Sequence, residues 1–416
     1  MKRPFLILGL LASLLFSFCA HAKEPRYRNI LVRDFRTVWH GEVINYNIGT
    51  AAHCPGTLSS LRKSLPDDVK ITVWADTLLT PELAEMMRIG FPDVPIVYGS
   101  LSKPSPELMA AVEASDLCLV SSGSGIAKSV RESLDQYRAL TGKPIAAYAI
   151  GYGKSLGKTI SPMEFCWFRD EKALLRAQVD GVSPCSGYAP DAVFDFEVSD
   201  EVGAEAFLKK NTLEKGEYLC CIPGFRHTPT WEFYGSGYDK KRDLRNQQYQ
   251  SPDNEILRAV VCEAVLKHNK KVLICAEQIP ELRLCKEEIY DKLPEDVKAN
   301  CVLQTELWSP QLALGVYKHS LCVFGIEMHS QVMAAGNGVP ACIFYHSGFG
   351  TKADMFNTVG LGSWLLDIDS DGAQQKAVQI VSDILIKPSS AKAKLRKARN
   401  IIDRSRNNAI SKSFYL

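Results

Sequence analysis

Short apolar runs without helical period alternate with amphipathic segments along this chain, and that alternation predicts an α/β protein whose parallel sheets are covered on both faces. The scheme stops in a polar stretch, Glu197 to Glu217, and then starts afresh, which predicts two Rossmann-like lobes. The length, 416 residues with 46% hydrophobic and 23% charged, suffices for two cores and excludes a disordered or fibrous chain. Together these observations predict a GT-B-like pair of lobes, with parallel sheets and an active site in the cleft between them.

The elements follow in order. Lys2 and Arg3 precede an uncharged apolar run from Phe5 to Cys19, and Ala20-His21-Ala22 has the small-x-small form of a cleavage site. Residues 1–22 therefore read as a signal peptide that carries the protein across a membrane, to a periplasm, a secretory pathway or the outside, leaving Lys23 first. The run is about 15 residues against the roughly 20 of a membrane helix, so membrane attachment is expected only if the segment stays uncleaved. The N-terminal lobe, 23–196, should hold strands near Ile30, Ile71 to Ala75, Ile96 to Tyr98, Leu117 to Val120 and Ile145 to Ile150. Its helices should lie near Leu58 to Leu65, Pro81 to Arg88, Pro106 to Ala114 and Ala127 to Leu140. The stretch Glu197 to Glu217 reads as the hinge.

The C-terminal lobe, 217–386, repeats the scheme with strands near Tyr218 to Ile222, Lys271 to Cys275, Val302 to Gln304, Ser320 to Phe324 and Ala341 to Tyr345. Between the first two, Pro223 to Pro252 reads as a long polar insertion bearing Trp231, Phe233, Tyr234 and Tyr238, either a functional lid or acceptor surface or plain exposed decoration. Residues 387–416 carry nine Lys or Arg against one Asp within a net charge of +2, so the rest of the chain is acidic. This tail reads as a basic helix that bridges the lobes, with no nucleic-acid partner implied. Without Cys19 the cysteines number an even twelve, yet Cys118, Cys220, Cys221, Cys275, Cys322 and Cys342 fall in buried strands and no CxxC pair occurs. Core thiols are expected, with one or two bridges among Cys54, Cys166, Cys185, Cys285 and Cys301, and no metal site.

The block Leu312 to Asp367 says most about function. Its apolar run, polar break at Gly325 to His329, helical segment and second apolar run read as strand, loop, helix, strand. Ligands of open parallel sheets bind beyond the carboxyl ends of strands, which puts Glu327, His329, His346 and Lys352 on the functional edge. On the other lobe, Ser121 to Gly125 is a Gly/Ser turn before a predicted helix, whose amides around Gly123, Ser124 and Gly125 could hold an anion. It lacks the Gly-x-Ser-x-Gly form of a serine hydrolase elbow.

Gly325-Ile326-Glu327-Met328-His329, then Ala334-Ala335-Gly336, Gly338-Val339-Pro340 and Lys352 before Val359-Gly360-Leu361, resemble the C-terminal half of the polysaccharide pyruvyl transferase family. Asn47-Ile48-Gly49, Lys143-Pro144, Arg169-Asp170 and Pro190-Asp191 match its N-terminal half in the expected order. The departures are Glu327 where the family has Arg, Thr50 where it has an acid, and Ala173 where it has Ser. The resemblance implies transfer of a pyruvyl group from phosphoenolpyruvate, the donor substrate, to a hydroxyl pair of a glycan acceptor as a cyclic ketal, with no further cofactor. Such a donor needs cations plus an acid and a base. The candidates are Arg226, Lys352 and Arg169 as anion clamps, His329 as general acid or base, Glu327 as a base, and Asn47 and His346 in substrate binding. A nucleotide-sugar transferase of the same architecture and a noncatalytic glycan-binding protein are the alternatives.

Overall fold

The computed structural model describes residues 24–34, 39–40, 43–44, 47–153, 156–232 and 236–415. The signal peptide expected at 1–22 lies outside them, as do Phe233 and Tyr234 of the aromatic insertion. Strands β1 (Asn29–Asp34), β2 (Lys70–Ala75), β3 (Ile96–Tyr98), β4 (Leu117–Val120), β5 (Ile145–Ile150), β6 (Cys166–Phe168) and β7 (Gly187–Tyr188) form one sheet in the order β3-β2-β1-β4-β5-β6-β7. Every neighbouring pair is parallel; Ile30, for example, lies opposite Ile71 on one side and Leu117 on the other.

Strands β8 (Tyr218–Ile222), β9 (Lys271–Ile274), β10 (Cys301–Leu303), β11 (Cys322–Gly325), β12 (Ala341–Tyr345) and β13 (Leu365–Asp367) form the second sheet, also parallel, ordered β10-β9-β8-β11-β12-β13. Both sheets thus share the doubly wound order of a Rossmann lobe, reversing direction beside β1 and beside β8. All of β5 and all of β8 are buried, the reason each reads as an unbroken apolar run.

The helices that matter to the site are α1 (Ile48–Ala51), α2 (His53–Arg62), α3 (Lys128–Thr141), α4 (Glu171–Val179), α5 (Glu201–Lys210), α6 (Lys240–Leu266), α7 (Pro310–Lys318), α8 (His329–Gly336) and α9 (Pro388–Phe414). About half of the polar stretch read as a hinge is α5. Its charged face is exposed, while Ala204 and Leu208 are buried and Gly315 of α7 lies so close that an added Cβ would meet Asp200 O at 2.8 Å. The insertion is shorter than expected, because α6 begins at Lys240 and runs through Pro252. Asp239 caps it, and Asn254 Nδ2 donates to Gln250 O at 2.7 Å in the turn that holds the proline.

Helix α9 ends against the first lobe. Ser413 Oγ accepts from Trp167 Nε1 at 2.7 Å, Arg26 N donates to Phe414 O at 2.7 Å, and the Phe414 ring packs edge-on against Tyr27 and Phe165. Arg406 Nη1 lies 3.1 Å from buried Asp195, which Arg399 and Lys63 also pair. No disulfide joins the twelve described cysteines, so the expected bridges do not form. Cys54, Cys166 and Cys285 are packed as core residues in separate elements, where a thiol behaves as a small apolar group. Among the described residues no helix is long and apolar enough to cross a membrane.

Candidate active site

The carboxyl ends of β1, β4 and β6 face those of β8, β9 and β11 across a cleft of about 280 Å³. Arg169, Arg226, Glu277, Glu327 and His329 sit just past these ends, while His346 and Lys352 follow β12 and Asn47 and His53 stand at α1 and α2. On the second lobe, β11 closes on Gly325, whose φ is +158° and whose added Cβ would meet Ile222 O at 1.9 Å, so only glycine lets the chain turn there. The turn delivers Glu327 and, at the start of α8, His329. Past β9, Glu277 is fully buried, and its Oε2 accepts from Ser330 N at 2.8 Å and Ser330 Oγ at 2.9 Å. Its Oε1 lies 3.4 Å from His329 Nδ1. Burial raises the Glu277 carboxyl, but His329 and the Ser330 bonds outweigh it and hold the group below its ordinary value.

Glu327 responds the other way. Burial, and then the charge of Glu277, push it up to about 7, with Lys352 only partly opposing; Gln278 Nε2 donates to its Oε1 at 3.3 Å. Lys352 still reaches solvent in the cleft, yet crowding by protein atoms and the repulsion of Arg169 bring its ammonium below the ordinary value.

From the first lobe, Arg169 follows β6 and is buried. Its Nη1 donates to Asp191 Oδ2 at 2.9 Å, while its Nε has no partner among the described residues. Asp191 is held well below the carboxylate range: burial opposes this, and His53, Arg169 and His329 prevail. His53 Nδ1 lies 3.3 Å from Asp191 Oδ1 and 3.3 Å from Ser122 Oγ, and its ring stands edge-on to that of His329 at 4.9 Å. The lobes touch where Ile48 N donates to Glu277 O at 3.0 Å, and Gly49 approaches so closely that a Cβ would sit 2.0 Å from His329 Cβ.

Of the residues expected from the sequence, Asn47, Ser124, Arg169, Arg226, Glu327, His329, His346 and Lys352 all line this cleft. Gly123 and Gly125 do not. The Gly123 amide is spent on Ala149 O at 3.2 Å, and α3 starts only at Lys128, so no helix start faces an anion there. Asn47 caps α1, accepting from Thr50 N at 2.9 Å. Arg226 is not an open clamp: Asp253 takes it in two bonds of 2.7 Å, Asp369 in one of 2.5 Å, and Tyr249 stacks on it at 3.6 Å. Arg169 pairs with Asp191 and not with its neighbour Asp170, which instead caps α4 through Ala173 N at 2.6 Å. His346 accepts from Gly348 N at 3.0 Å through Nδ1, which leaves the ring proton on Nε2. Burial and the repulsion of Arg226 lower it to about 4, so it stays neutral near pH 7.

Sequence reasoning missed His53, Glu277 and Gln278. The last two stand just beyond the carboxyl end of β9, where the rule applied to Glu327 would have found them. Nitrogens of His53 and His329 and an oxygen of Asp191 lie within 4.8 Å of one another, a set of metal-ligand types that the sequence does not show because the three come from distant segments. Arg169 already supplies the positive charge that Asp191 needs there.

Two doubly wound lobes facing across a cleft define a GT-B-type α/β protein. No protein-family model matches the chain, and no curated protein matches it. Solved structures do. A putative UDP-N-acetylglucosamine 2-epimerase from Listeria monocytogenes is similar with a TM-score of 0.58 and 12% identity, over 91% of this chain and 94% of that one. The UDP-GlcNAc 2-epimerase of Neisseria meningitidis, solved with UDP-GlcNAc, is similar at 0.54 and 11%, over 92% and 99%. The α,α-trehalose 6-phosphate synthase of Burkholderia multivorans is similar at 0.52 and 8%, over 93% and 98%. At such identities the likeness establishes the fold.

Proposed function

We propose that this chain is a glycan-modifying transferase that holds a phosphate-bearing donor between its lobes, and that the donor is a nucleotide-activated sugar. The observation that carries the reading is a set of nitrogens without partners on one cleft. Arg169 Nε, His329 Nε2 and His346 Nε2 are buried and make no hydrogen bond with the described residues. Leaving such a group unmade costs about 1–3 kcal/mol each, so a ligand whose polar atoms pair with them is favoured. Lys352 adds a solvent-reaching cation that lines the same space. The likeness in fold to an epimerase solved with UDP-GlcNAc supports a sugar diphosphate as the anion. In this reading Arg169 and Lys352 hold the leaving phosphate, while His329, backed by Glu277, or Glu327 takes the acceptor hydroxyl proton.

Phosphoenolpyruvate is the second reading. It is supported by the small cleft, about 280 Å³, and by the order of motifs that brings Arg169, His329 and Lys352 together. His329 would then protonate the methylene carbon before the glycan hydroxyl adds. Thermal unfolding of the full chain, titrated with UDP, ADP and GDP and separately with phosphoenolpyruvate, decides between them, because a ligand that binds only the folded state raises Tm. A rise with one nucleotide that Lys352→Ala weakens supports sugar transfer. A rise with phosphoenolpyruvate alone replaces it with pyruvyl transfer, and no rise with either rejects a phosphate-bearing donor.

A further inference from the structure

The cleft is sorted by charge. The charges around Lys352 are those of Arg169, Glu327 and Glu277, whereas those around His346 are Arg226, Asp369 and Arg245, with His227 beside them. Lys352 and His346 therefore line one cleft from separate electrostatic surroundings. At the His346 end, the guanidinium of Arg226 is outweighed by Asp253 and Asp369 together. That end repels a phosphate, which is drawn to Arg169 and Lys352 instead.

What the His346 end offers is held in place by two loops. Asn246 on α6 grips the loop after β8, donating from Nδ2 to His227 O at 2.6 Å and accepting through Oδ1 from His227 N at 2.9 Å. Asp369 ties the loop after β12 to it, accepting from Ser347 N at 3.0 Å and from Arg226 Nη2 at 2.5 Å. His346 is only 2% exposed, and because Nδ1 accepts from Gly348 N, its Nε2 carries a hydrogen for which no described residue is an acceptor. The ring of Phe349 stands edge-on to it at 5.1 Å with planes at 87°. Phe225, Thr228 and Gln278 continue the same wall with a second ring, a hydroxyl and an amide. One fixed donor beside aromatic carbon and a few small polar groups matches a sugar ring, which has apolar C–H faces and an edge of hydroxyls.

We propose that His346, Phe349 and Phe225 form a sugar subsite, in which an uncharged pyranose ring lays a C–H face on Phe349 and presents a hydroxyl or acetamido oxygen to His346 Nε2. The proposal rests on the reading of the cleft as a glycan-modifying transfer site. At about 280 Å³ the cleft lies at the small end of ligand pockets, with space for one ring beside a phosphate. Under either donor that ring is a sugar, because the reacting atoms must lie by His329 and Glu327. It is the transferred sugar of a nucleotide-activated donor, or the accepting sugar when phosphoenolpyruvate is the donor. Anion binding thus falls to Arg169 and Lys352, and the choice among sugars falls to His346.

The test is saturation-transfer NMR on the unaltered full chain at pH 7 with three probes that carry no phosphate: methyl β-galactoside, N-acetylglucosamine and uridine. Inorganic pyrophosphate is titrated separately through its phosphorus signal. At least one sugar is expected to take up saturation more strongly than uridine. His346→Phe, which keeps a ring but no donor, should weaken that sugar's binding about tenfold, and His346→Gln, which keeps an amide donor, should restore most of it. Preferential transfer to uridine would overturn the proposal and make the wall a nucleoside subsite. Transfer to none of the three at millimolar concentration would also overturn it, and neither result needs a variant to fold. Sugar binding that a folded His346→Phe chain retains in full would overturn it as well. Pyrophosphate binding without sugar binding rejects the subsite and leaves the phosphate-bearing donor standing, while sugar binding without pyrophosphate binding supports the subsite and rejects that donor.

Discussion

Glu327 occupies a position where its protonation changes near pH 7, because burial and the charge of Glu277 disfavour its ionised form. A carboxyl raised in the folded state contributes stability that is full below its unfolded value, near 4.3, and is lost as pH rises through about 7. Glu327→Gln should therefore flatten the fall of Tm between pH 5 and pH 8.5 and raise Tm at the upper end by about 2 °C or more, read by calorimetry across that range. Arg226 makes the opposite case. Its guanidinium is consumed by Asp253 and Asp369, so Arg226→Ala should cost about 3–5 kcal/mol in urea unfolding through stranded carboxylates. In contrast, Arg169→Gln should lose donor-induced stabilisation. The sequence could not separate these two arginines, since Asp253 lies on a helix hidden behind a proline and Asp369 lies beyond β13.

At the scale of elements, the buried strands β1, β2, β4, β5, β8, β9, β11 and β12 announced themselves by their apolar runs, and even the three-residue, half-buried β3 and β10 could be placed. Strands β6, β7 and β13 are short, and Gly187-Tyr188 carries no pattern at all; only the neighbouring strand makes it one. The same limit hid half of the site. Glu327, His329 and Lys352 share one strand–helix–strand unit and were legible together, whereas Glu277 reaches them from β9 of the same lobe and His53 and Asp191 from the other lobe, where α1 packs on α8. Gly49 is the contact that permits this. Gly49→Ala would drive a methyl into His329 and Glu277 Oε1, so the chain should stay folded by circular dichroism while the donor-induced rise in Tm is lost.

Over the whole molecule, the lobes are tied by α9 through a charge cluster centred on Asp195. Burial raises this carboxyl, but Arg399, Lys63 and Arg406 outweigh it and lower it to about 2. Its contribution to stability is present above about pH 4 and is lost as pH falls toward 2. Asp195→Asn should cost about 3 kcal/mol at pH 7, about half of that at pH 3 and little of it below about pH 2, and speed amide hydrogen exchange in α9 ahead of both sheets. The docking of this helix also governs the order in which the protein can be completed during synthesis. Tyr27, Phe165 and Trp167 belong to the first lobe, yet the ring and hydroxyl that cover them are Phe414 and Ser413. The lobe made first therefore waits, with an aromatic face open, until the second lobe and the helix after it have left the ribosome, and any pause before Pro388 leaves that face to whatever chaperone is nearest.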